Sequence, residues 1–266
     1  MNAQSVFIDH MERLWVLDVG AAFLGNVTKK GPKLVLVDME NDNVERVYDL
    51  DDIAETTSYL NDVRISADGN HAFITDSNMG GIRVVDLISG AGRVLLEDDP
   101  STHAEPGFVT SVEGQPMLLA NDKPAAFASD GIAVLNGYVY YHACTGRTLY
   151  RIEESLLTDT TKTKKEIQAG IEMVGLSGVP DGLVTAGDAS LQGTLYMTAI
   201  EKDGIAISEY GNGEKGKWKI KDGNLEITWE SGSTDYWFNG VMGFQRLFKD
   251  KNKSYTSGIR KLLNNR

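Results

Sequence analysis

The chain has a single cysteine, Cys144, among 266 residues, so no internal disulfide is available to staple it. That residue reads first as a small buried side chain rather than as a reactive thiol. Long hydrophobic runs are missing: none approaches the roughly 18 residues that cross a bilayer. The opening residues, MNAQSVFIDHMERLWVLD, carry neither a basic start nor the apolar stretch of a signal peptide. The chain as written is therefore expected in the cytoplasm, or outside it if the front has been cut away. Positive charge is also scarce, with 26 Lys and Arg against 38 Asp and Glu and a net charge of −12. Such a balance argues against nucleic acid as a partner and suits solubility and cation binding. Three kinds of chemistry lack their residues. There is no G-x-S-x-G elbow for serine catalysis, and no glycine loop for phosphate. The four histidines, His10, His71, His103 and His142, have no zinc-type spacing.

What the chain does have is short strands in repeated order. Asn61 to Leu87 reads as three of them: Asn61–Ser66, an Asp68-Gly69 turn, His71–Asp76, a Gly80-Gly81 break, then Ile82–Asp86. Short β-branched runs bounded by such turns form a hairpin meander, because the turn residues supply the positive φ that tight hairpins need. Similar units start near Ser5, Asp130 and Asp181. Self-similar meanders of this size indicate an all-β fold of β-propeller type. A β-sandwich fits the strand count but not the repeated order. In a propeller the inner strand of each blade begins near the central channel, so Asn61, Asp62, Asp130 and Asp181 can converge there. The competing reading of the Asp-Gly pairs is plain turn chemistry.

The tail departs from the pattern. Lys217–Lys221 and Asn224–Trp229 flank Asp222-Gly223, a strong hairpin signal. In that register Ile220 faces Leu225 and Trp218 faces Ile227. Beyond Leu247 the chain turns basic and polar, and a helical or frayed end is expected. The sequence thus divides into propeller blades over residues 1–210 and a C-terminal β-hairpin segment with a basic tail over residues 211–266. About four blades are recognisable, so sheet edges should stand open unless the tail, a partner or a second copy covers them.

Leu14-Trp15-Val16-Leu17-Asp18-Val19-Gly20 with Pro32–Asp38 resembles the major royal jelly protein/yellow family. So do Tyr59–Val63, Ala72–Ser77 and Leu149–Ile152 with Leu156-Leu157, and the likeness runs from about Gln4 to Tyr210. That family is similar to the gluconolactonase/senescence-marker-protein group of six-bladed propellers, which implies an incomplete wheel of the six-bladed type here. In those lactonases a divalent cation, most often calcium, is held by a Glu, two Asn and an Asp. The resemblance carries these roles to Asn61, Asp130 and Asp181, with Gln4 nearest the place of the Glu. It implies two functions: a small-molecule-binding propeller using Asn61, Asp62, Asp130 and Asp181, or a metal-dependent lactone hydrolase. In the second, Asp181 or Asp130 would activate water. An interaction scaffold with no chemistry of its own is a third possibility. No membrane partner is implied.

Overall fold

Among the described residues stand twenty-two short strands, two short α-helices and two 3-10 turns; the structure, a computed structural model, describes residues 2–23, 25–112, 115–188, 192–197, 204–208, 214–221, 224–240, 243–251 and 254–258. The first sheet is β1 (Ala3–Ile8), β2 (Leu14–Val19), β3 (Pro32–Asp38) and β4 (Asn43–Asp49), paired antiparallel in chain order. The second repeats that plan with β5 (Leu60–Ile65), β6 (His71–Asp76), β7 (Ile82–Asp86) and β8 (Gly92–Leu95). A two-stranded ribbon, β9 (Ser111–Val112) and β10 (Gln115–Pro116), interrupts the long connection that follows. The third sheet is β11 (Ser129–Leu135), β12 (Tyr138–Ala143), β13 (Thr148–Glu153) and β14 (Glu172–Leu176). Helices α1 (Glu154–Thr158) and α2 (Lys164–Ala169) lie between its last two strands.

The inner strands β1, β5 and β11 adjoin in turn, and β15 (Leu183–Asp188) follows β11. Alternation along each strand then sends apolar side chains to both blade faces. Trp15, Leu17 and Leu34 of the first blade bury against Leu60, Val63 and Ile74 of the second. Phe73, Ile82 and Val84 of the second meet Ile132, Val134 and Tyr141 of the third. Ala133, Leu135 and Tyr140 of the third meet Leu183, Leu195 and Met197 of the fourth. All seven residues of β11 are buried, because a blade lies on each side of it. These radially packed meanders are blades of a β-propeller.

Arg83 locks the second blade from within. It is fully buried, pairs with Asp76 at 2.9 Å and with Glu97 at 2.9 Å, and donates to the carbonyl of Ile53. Asp76 in turn accepts from the backbone N–H groups of Tyr59, Asn78 and Met79. The buried ion pair is supported by these bonds to Asp76 Oδ1 and to the guanidinium, while Asp76 Oδ2 is held by the charge of Arg83 alone.

The polar stretch Glu153 to Glu172 holds both short helices, and Thr163 and Glu166 form a reciprocal capping box that starts α2. Of the tail beyond Leu247, Ser254–Gly258 continues the sheet as strand, and residues 259–266, where a helical or frayed end is expected, lie outside the described residues. The fourth sheet has eight strands, β15 through β16 (Gln192–Met197), β17 (Gly204–Ser208), β18 (Glu214–Lys221), β19 (Asn224–Trp229), β20 (Thr234–Gly240), β21 (Gly243–Lys249) and β22 (Ser254–Gly258). Pairing with β21 gives one side of β22 its ladder partners and outweighs its polar composition. The hairpin register is as read: Trp218 opposes Ile227 and Ile220 opposes Leu225. Its turn, Asp222-Gly223, lies outside the described residues, as does the expected domain boundary at residues 210 and 211. Across that boundary β17 pairs with β18. Among the described residues no helix is long and apolar enough to cross a membrane.

Candidate functional site

The inner strands of the first three blades break register near their starts. In β1 the shift falls between Ala3 and Ser5, in β5 between Leu60 and Val63, and in β11 between Ser129 and Ile132. A bulge inserts an unpaired residue and re-aims its side chain. Here the residues inside the bulges are Gln4, Asn61 with Asp62, and Asp130 with Gly131. Gln4, Asn61, Asp62 and Asp130 all line one cavity of about 410 Å³, joined by Asp181 from the turn before β15. The four candidates from the sequence, Asn61, Asp62, Asp130 and Asp181, thus come together at one place.

Bulges leave backbone groups without ladder partners, and one hydroxyl serves two of them. Buried Thr75 accepts from the N–H of Asp62 at 3.1 Å and donates to the carbonyl of Asp130. Gly131 is needed for a different reason. A Cβ there would lie 2.6 Å from His142 Nε2 and 3.1 Å from the Leu183 nitrogen, so only glycine lets the blades close. Burial holds His142 in its neutral form, down to a pKa of about 4.

Around the cavity the polar groups form a chain. Tyr59 donates to Gln4 Oε1 at 2.7 Å, and Gln4 Nε2 donates to Asn61 Oδ1 at 2.8 Å. Ser5 donates to Asp62 Oδ1 at 2.7 Å, and the Arg64 guanidinium pairs with the same oxygen at 2.6 Å. Asp181 is exposed at the mouth while Asp130 is buried. Burial pushes the Asp130 carboxyl well above the usual carboxylate range, and the charges of Asp181 and Asp62 push it further; a hydrogen bond with Cys144 opposes them. The Cys144 thiol is pushed up by burial and then by the neighbouring acids, so it is not an activated nucleophile. Oxygens of Asp130 and Asp181 and the sulfur of Cys144 lie within 4.8 Å of one another. Phe23, Tyr59, Phe127 and Met117 supply the apolar wall, with Phe23 edge-on to Tyr59 at 5.5 Å.

Sequence reading missed several of these residues. The residue type of Cys144 predicts only a small buried side chain; it is buried, and it also faces the cavity. Thr75, Tyr59, Arg64 and Phe127 gave no signal of their own, because their roles come from contacts between blades.

Bulged inner strands around a shared polar cavity define a β-propeller with a channel-mouth site. The family model described as "Major royal jelly protein" matches residues 1–212, and the chain belongs to that family. No curated protein matches it. The periplasmic gluconolactonase of Pseudomonas aeruginosa is similar in fold, with a TM-score of 0.51 and 12% identity over 90% of this chain and 70% of that one. A structure of a nidogen/laminin complex gives 0.48 and 13% over 88% and 76%. A putative 6-phosphogluconolactonase of Bacteroides fragilis gives 0.42 and 8% over 97% and 83%.

A divalent cation of the kind implied by the lactonase resemblance fits these side chains poorly. Hard cations need several free oxygen ligands. In this cavity the Asn61 carbonyl oxygen takes the Gln4 amide, Asp62 takes Arg64, and Asp130 is paired with a thiol.

Proposed function

We propose that this protein is a small-molecule-binding propeller whose channel-mouth cavity takes an organic cation. The observation that carries the reading is the convergence of Asp130 and Asp181 with the Tyr59, Phe23 and Phe127 rings in one cavity of about 410 Å³. An aromatic wall beside carboxyl groups suits an ammonium group on an apolar body, since ring faces attract cations and the exposed Asp181 carboxylate supplies an acceptor at the mouth. The volume is ordinary for a small-ligand site.

Calorimetric titration with benzylammonium, benzyl alcohol and benzoate tests it. Benzylammonium should bind at least about tenfold more tightly than benzyl alcohol, the factor a charge-assisted hydrogen bond supplies, and benzoate should not bind. Equal affinity for all three, or none for any, overturns the reading. The competing metal-dependent lactone hydrolase rests on the nearness of Asp130, Asp181 and Cys144. It requires calcium-dependent hydrolysis of gluconolactone that is lost in Asp181→Ala.

A further inference from the structure

Arg64 sits where three blades meet. Its Nη1 lies 2.6 Å from Asp62 Oδ1 and 2.7 Å from the carbonyl oxygen of Val63, both on β5. Its Nη2 donates at 2.6 Å to the carbonyl of Leu183 on β15. Its guanidinium carbon stands 4.9 Å from the centre of the Phe7 ring on β1. One side chain therefore touches the inner strands of blades one, two and four, and only 12% of it is exposed. A carboxylate oxygen and two backbone carbonyls around one charge resemble the oxygen shell that a hard cation seeks. A guanidinium can fill that shell because its donors are spread over a rigid fork, whereas an ammonium is a point charge.

We propose that Arg64 is the built-in counter-cation of the channel: it occupies the oxygen shell formed by Asp62, Val63 and Leu183, excludes a free divalent cation, and so leaves the cavity to organic ligands. Only the last clause rests on the reading of the cavity as a ligand site. Without the guanidinium, Asp62 would lose its ion-pair partner in a cavity it shares with Asp130 and Asp181. The Val63 and Leu183 carbonyls would also lose their partner. Unpaired acceptors in a half-buried place are costly, and a free cation is the direct remedy.

Thermal melting of Arg64→Ala and Arg64→Lys, with and without millimolar calcium chloride or methylguanidinium, tests this. The wild-type midpoint should not move with either salt. Arg64→Ala should melt lower and regain several degrees with calcium or methylguanidinium but not with tetramethylammonium, as expected for a ligand that binds only the folded state. Arg64→Lys keeps a charge beside Asp62 and is expected to fold. Its ammonium cannot reach both Asp62 and Leu183, so it should show a smaller rise with calcium; this variant decides the matter if Arg64→Ala does not fold. A calcium response in the wild type, or variants that respond to neither cation, overturns the proposal. If the variants gain calcium binding while benzylammonium fails to bind the wild type, the ligand reading falls and the role of Arg64 stands.

Discussion

Asp130 concentrates the electrostatic cost of the site. Burial and two neighbouring acids raise its pKa, so the folded protein holds this proton where the unfolded chain, with a carboxyl near 3.8, releases it. A raised acid contributes stability that is complete below the unfolded value and is lost as pH rises from there toward the folded value. Asp130→Asn removes the titration while keeping the shape. The variant should melt higher than the parent at pH 7, and the gap should narrow as the pH is lowered to 4. A gap that does not change with pH would show that Asp130 is not held under this strain. This residue was legible as a polar group before an inner strand, but its burial was not. Burial comes from the fourth blade, whose Asp181-Gly182 turn lies beside it, and a one-dimensional reading cannot supply that contact. Cys144 shows the same limit: its type said "buried", and only the fold says that it is beside two acids.

At the scale of the element, the bulged inner strand is the device that makes the site. Each bulge turns polar residues out of the ladder and into the channel, and the freed backbone groups must then find other partners. Thr75 on β6 does this for two blades at once. Thr75→Val keeps the volume but leaves the Asp62 N–H and the Asp130 carbonyl without that hydroxyl. The expected loss is about 1–3 kcal/mol, read from chemical denaturation, together with weaker ligand binding because two cavity residues lose their anchor. A stability unchanged within about 0.5 kcal/mol, the range of an uninvolved surface substitution, would contradict the role. The meanders were legible because Asp68-Gly69 and Gly80-Gly81 mark turns that the structure reproduces with positive φ at Gly69, Gly80 and Gly81. The bulges were not, because a one-residue register shift leaves the composition of a strand unchanged. Strand β14 was missed for a related reason: its sequence, EMVGL, contains a glycine at φ +150° and has little alternation.

At the scale of the molecule, the arc of blades leaves a face of the first sheet without a blade against it among the described residues. Register lines up Val6, Val16, Val35 and Val47 across that sheet, and Ile8, Leu14, Val37 and Val44 beside them. The outer members are more than half exposed, Val6 at 66% and Val44 at 58%. These rows are the chemistry of an inter-blade surface. The propeller was legible in the sequence because blade repetition is local. The continuation of the last blade into an eight-stranded sheet was not, since a polar tail such as Ser254–Gly258 becomes a strand only when a neighbour offers its ladder.

The central claim is that the channel-mouth cavity holds a ligand through its acids, and Asp181 is the exposed acid at its entrance. Calorimetric titration of benzylammonium into the wild type and Asp181→Asn at pH 7 tests it most directly. The account predicts one site on the wild type and an affinity roughly 10- to 100-fold lower in the variant, the worth of one hydrogen bond to a charged group. Equal affinity in the two proteins would contradict it.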